Sequence, residues 1–193
     1  MRKQKKRFSK EMWLQNALKQ LSKKGNLGFT IEELSKALGV TKGSFYYHFK
    51  SRYDFTLQLF DYWEAISTTN VMEHVNQAEG DAAERLLRLT KFLIKKDNWR
   101  YELAIRAWVQ IHPVLIPMLK QIDLRRYEFV SALFKEMGFT GDDLEMRVRT
   151  FLVFYSLEMI LFPNQNIAER MKFLELRHSL LTGMRDEKYQ PQL

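Results

Sequence analysis

Apolar residues along this chain recur at helical spacing, and the strict alternation that marks a half-buried strand is nearly absent. From Ser9 to Lys24, Leu14, Ala17, Leu18 and Leu21 fall at i, i+3, i+4 and i+7, and Gly25 offers a stop, so a first helix is predicted there. Thr30 with Glu33 makes a capping box, and Phe29 can staple onto Leu34, so a second helix begins at Ile31 and shows one face of Ile31, Leu34, Ala37 and Leu38. Gly39 permits a tight turn, and Thr41 is a suitable N-cap for a third helix from Lys42, with Val40 able to staple onto Phe45. Ser51 caps a fourth helix, with Asp54 in its first turn; Phe55, Leu59, Tyr62 and Ile66 stay on one side and carry it to about Asn76.

The rest of the chain follows the same grammar. Asp81 with Glu84 opens a helix to about Lys95, and Asn98 caps another that ends near His112, because Pro113 disfavours helical backbone in its predecessor. A longer helix, with Pro113 and Pro117 near its start, runs to Met137 and stops at Gly138. Asp142 and Asp143 open a helix that reaches Phe162 before Pro163. Asn166 with Glu169 caps a last one from Ile167 to Thr182, closed by Gly183, and residues 185–193 read as a loose tail. The prediction is an all-α protein of about nine helices without internal repeats.

Composition narrows the possibilities. At 193 residues and 46% hydrophobic, the chain can fill a sizeable core. With no cysteine it has no disulfide, no thiolate nucleophile and no cysteine-bound zinc, which suits a reducing compartment, and no apolar run is long enough to span a bilayer, so a cytoplasmic protein is expected. Residues 1–55 carry 13 Lys+Arg against 4 Asp+Glu, a net +9, leaving 18 against 19 for the rest. Basic charge gathered at one end is the footprint of a head that meets a polyanion and a body that does not. The histidines His48, His74, His112 and His178 are scattered, and HExxH, G-x-S-x-G and a phosphate-cradling glycine loop are all missing, so neither an enzyme, a cofactor nor a metal is expected.

The two short helices 31–38 and 42–48, joined at Gly39, make a unit able to lay its second helix in a major groove. Phe45 and Phe49, four apart, can dock inward on Ile31, Leu34 and Leu38, which turns Lys42, Gly43, Ser44, Tyr46, Tyr47 and His48 outward. Small residues at 43 and 44 allow backbone to approach base edges, and hydroxyls, imidazole and Lys50 suit phosphates.

The stretch from Phe29 to Arg52, FTIEELSKALGVTKGSFYYHFKSR, resembles the TetR family of transcriptional regulators. The resemblance covers about a quarter of the chain. It implies a helix-turn-helix DNA-binding domain over 1–52 and a helical effector-binding and dimerisation domain over 53–193. Lys42, Gly43 and Ser44, following the cap Thr41, would read bases; Tyr47 would meet sugar and phosphate; Thr30, Tyr46, His48, Lys50 and Arg52 would contact phosphates. It further implies a homodimer on a palindromic operator, and a repressor released by a small molecule.

For such an effector, taken to be apolar or aromatic, the candidates are the large adaptable side chains Trp63, Trp99, Tyr101, Trp108, Met118, Tyr155 and Met159, with Arg106, His112 and Glu158 to orient a polar group. An aromatic-lined cavity separates this reading from that of an architectural DNA-coating protein. In 142–162 and 167–182 apolar residues cover more than one face, which calls for a second partner; Phe151, Phe154, Leu174, His178 and Leu181 are the candidate dimer contacts.

Overall fold

The computed structural model describes residues 9–24, 29–96, 99–162 and 164–183; of Lys24, Trp99 and Met159 only the backbone is described. The expected stops and caps at Gly25, Asn98 and Pro163, and the tail from 185, lie outside this range. Eleven α-helical segments account for most of the described residues, among which no strand occurs: α1 Lys10–Lys24, α2 Ile31–Leu38, α3 Lys42–His48, α4 Arg52–Glu64, α5 Asn70–Asn76, α6 Ala82–Lys96, α7 Trp99–Gln110, α8 Ile116–Glu136, α9 Gly141–Leu161, α10 Ile167–Lys172 and α11 Leu174–Thr182.

Local chemistry explains most boundaries. Thr30 Oγ1 accepts from Glu33 N at 3.1 Å and Glu33 Oε2 from Thr30 N at 2.8 Å, closing the capping box on α2. The same reciprocal bonds open α6 at Asp81 and Glu84 and α10 at Asn166 and Glu169. His112 leaves helical geometry at φ −128°, ψ 74°, as a residue before proline should, and a 3₁₀ turn Pro113–Leu115 leads into α8. Thr140 sits at the N-cap of α9, and Asp142 and Asp143 follow in its first turn, where they are expected to open it.

Two expectations need correcting. The helix from Arg52 to Asn76 is interrupted by a π turn, Ala65–Thr69, in which the Ser67 hydroxyl donates to the Trp63 carbonyl at 2.7 Å. The helix expected over Ile167 to Thr182 breaks at Phe173 into α10 and α11. A buried ion triad accounts for the break: Glu158 of α9 accepts from Arg170 Nε at 3.2 Å and from Arg177 Nη1 at 3.0 Å, and Arg177 Nη2 donates to the Arg170 carbonyl at 3.3 Å. Arg170 and Arg177 come from the two halves, so one carboxylate of α9 holds both pieces in place. Charges taken this far from water persist only when paired, which all three are.

The chain packs as two units, Met1–Ser67 with Arg100–Leu119, and Thr68–Trp99 with Lys120–Leu193. In the first, α1 packs on α2 and α4, and α2 on α3, around Trp13, Leu18, Leu34, Phe45, Phe49 and Leu59. The second closes around Val75, Leu86, Phe134, Val148 and Phe151, with α6 packed against α5, α10 and α11.

Candidate nucleic-acid interface

The geometry of α3 is set from both ends. Before it, Gly39 takes φ 67°, ψ 31°, the left-handed conformation that glycine adopts at no steric cost, and the N–H groups of Gly39 and Val40 return to the carbonyls of Lys36 and Ser35 at 3.1 and 3.0 Å. This ends α2 and redirects the chain within two residues. After it, Ser51 Oγ accepts from Asp54 N at 3.0 Å, and Asp54 Oδ2 accepts from Lys50 N at 2.8 Å, so the start of α4 is tied to the end of the preceding segment. Thr41 occupies the N-cap of α3, but its side chain makes no capping bond.

Beneath α3 lies an aromatic cluster. Phe45 contacts Trp13 edge-on at 5.5 Å, Phe49 at 5.0 Å and Phe55 at 5.1 Å, and Phe49 meets Phe55 at 4.8 Å. With Phe45 and Phe49 fully buried, the opposite side of the seven-residue helix must face outward. Phe29, expected against Leu34, packs edge-on against Phe55 at 5.8 Å.

The outward side carries the residues that the sequence singled out. Thr30, Thr41, Lys42, Gly43, Lys50 and Arg52 are exposed, and Ser44 and His48 are half-buried. Tyr46 is 56% and Tyr47 72% exposed, unusual for tyrosines that could have packed inward. The His48 ring stands edge-on to Tyr47 at 5.0 Å. A Cβ at Gly43 would meet only Thr41 Oγ1, at an ordinary 3.6 Å, so the chain's own packing does not require glycine there. Its effect is to leave the outward side of α3 open to a close neighbour.

Sequence reading overlooked three groups beside this surface. Tyr53, 57% exposed, adds a third outward tyrosine at the start of α4. Lys10 reaches over the Phe49 ring at 5.8 Å. Glu32 forms an ion pair with Lys42, and that bond, aided by the charge of Arg52, holds its carboxyl below the usual range. The spacing of Glu32 and Lys42, ten apart across a turn, gives no local periodic signal; only the α2–α3 geometry joins them.

The candidate effector residues divide between the two units. In the first unit, Trp63 and Trp108 are buried, Met118 is half-buried, and His112 lies against Trp108 at 4.6 Å, where burial pushes its pKa down. Tyr101 lines a cleft of about 470 Å³ with residues of α1, α2 and α4. In the second unit, Tyr155 is half-buried, with burial raising its pKa, and both oxygens of Glu158 are taken by the ion triad. The side chains of Trp99 and Met159 lie outside the described residues.

Of the candidate dimer contacts, Phe151, Leu174 and Leu181 are buried within their own unit, and Phe154 and His178 are half-buried, Phe154 beneath the Arg177 guanidinium at 4.3 Å. The open apolar side of α9 is formed instead by Met146, Val153, Leu157 and Ile160, and Phe173 and Leu180 are exposed nearby in sequence.

Among the described residues no helix is long and apolar enough to cross a membrane. Residues 14–59 match the family model described as bacterial regulatory proteins, tetR family, a match that takes in most of α1, all of α2 and α3 and the first part of α4. No match was found among curated proteins.

Proposed function

We propose that this chain, whose head matches the tetR family of bacterial regulatory proteins over residues 14–59, is a DNA-binding regulator of transcription, a dimeric repressor that occupies a palindromic operator and is released by a small apolar or aromatic effector. The observation that carries the DNA-facing part is α3 itself: Phe45 and Phe49 anchor it, leaving Lys42, Gly43 and Tyr47 outward. Lys42 reads a base edge, Gly43 and Ser44 allow the backbone close to it, and Thr41, Tyr46, Tyr47 and His48 meet sugar and phosphate. Thr30, Lys50 and Arg52 flank the groove on the phosphates.

A head of this size covers too little groove for tight specific binding, so two heads act together. The open apolar side of α9 is the surface that a second copy would cover. The functional division then runs at 52/53, with 1–52 on DNA and 53–193 serving the effector and the partner, in the cytoplasm and without catalysis. Effector binding stabilises a second state of the dimer whose heads no longer match the operator, a shift of population between two states.

Selection of bound sequences from a random duplex pool, followed by titration of the winner at several salt concentrations, tests this. A two-fold symmetric sequence is expected, with affinity falling steeply as salt rises. Lys42→Ala relaxes the selected preference, whereas Lys50→Ala weakens all duplexes alike. An unsymmetrical winner, a flat salt dependence, or an unchanged preference in Lys42→Ala contradicts the reading.

A further inference from the structure

We propose that the cleft between α1, the end of α2, α4 and α7 is a binding site for a planar aromatic acid carrying an O–H or N–H donor. Its volume of about 470 Å³ suits a small molecule, since ligand pockets run from roughly 300 to 1,000 Å³. Leu38 and Ile66 supply apolar wall, and Tyr62 and Tyr101 supply aromatic surface. Burial and the nearby Glu11 and Tyr101 raise the pKa of the Tyr62 hydroxyl against a hydrogen bond from Gln15, so that hydroxyl is neutral at pH 7.

Polar groups give the cleft its selectivity. Asn16 lines it, and Asn16 Oδ1 is buried with no hydrogen-bond partner. A buried acceptor left unpaired costs stability, and asparagine is a poorer helix former than the leucine that would fit among the buried neighbours Trp13, Leu14, Ala17 and Leu18. Its complement is a donor; a small turn of the soft amide torsion presents the oxygen to a ligand. Lys19 lines the same cleft from an exposed position on α1, where its ammonium suits a carboxylate.

The site also touches the elements that set α3. Leu38 is the last residue of α2, next to the Gly39 turn, and Ile66 belongs to the π turn, a feature often found at functional sites. An occupant that reshapes this packing alters how α2 presents α3. That regulatory consequence rests on the DNA-binding reading; binding to the cleft does not.

Titration calorimetry on the full chain with salicylate, 4-hydroxybenzoate and indole-3-carboxylate tests the site, with benzoate as the acid lacking a donor. At least one donor-bearing acid binds, and benzoate binds about tenfold more weakly. Asn16→Leu lowers the affinity at least tenfold while raising Tm by about 2 to 4 °C, because it removes an unpaired buried acceptor. Tyr101→Ala weakens binding with Tm little changed. If none of the three acids binds at millimolar concentration, if benzoate binds equally well, or if Asn16→Leu lowers Tm, the proposal is overturned. Operator binding measured without any acid reports separately on the DNA-binding reading.

Discussion

On the proposed DNA-facing surface, Glu32 brings a carboxylate among groups offered to phosphates. Lys42 must leave it to reach DNA, or stay and contribute no contact, so the pair restrains every complex that the head forms. Glu32→Gln is therefore expected to tighten binding about three- to tenfold and to steepen the log–log salt dependence by about one. The gain on a selected operator should be at least as large as on random duplex, because only the operator complex has to break the pair in every case. Unchanged affinity and slope in a fluorescence titration would show that the pair does not form in solution. At this scale the sequence was informative wherever chemistry is local: Thr30 with Glu33 and Asn166 with Glu169 bond as their spacing announces. Thr41, equally suited by type, leaves its side chain out of the cap.

Helix α9 shows where pattern reading loses its way. It is apolar on two sides, and periodicity alone does not say which turns inward. Packing decides: Val148 and Phe151 are buried, while Val153 and Leu157 remain 54% and 41% exposed. Phe151, Leu174 and Leu181 were thus legible as apolar but not as core. If the outer side receives a second copy, Val153→Glu combined with Leu157→Lys should give a helical monomer by light scattering, with operator affinity lost. A dimer that survives both charges removes this face from consideration. The break at Phe173 was hidden for a related reason: the triad that holds it draws on Glu158, in a different helix, and no window around Phe173 contains that partner.

For the molecule as a whole, half-buried histidines should contribute to the acid limb of stability. Burial lowers the pKa of His178, with Lys91 acting in the same direction and Asp81 against it, and burial lowers that of His112. Below about pH 6.5, the ordinary histidine value, the unfolded chain binds these protons and the folded chain resists them. Stability is then level above that pH and falls as acid is added, down through the folded pKa values. Melting curves from pH 7.5 to 5.5 should show Tm dropping, and His178→Gln should flatten part of the drop; a Tm that rises on acidification contradicts this. Charge segregation marks a basic end in the sequence, but nothing local to residues 100–119 announces that they pack in the same unit as Met1–Ser67, since that association is made across the chain. The π turn at Ala65–Thr69 carries a consequence for variation in chain length. A π turn holds one residue more than an α turn, so a single-residue deletion inside it can be absorbed by relaxation to α geometry, with downstream side chains keeping their azimuth. The same deletion within α4 or α5 would swing every later position by about 100°. Length polymorphism among descendants of this chain is best accommodated in those five residues.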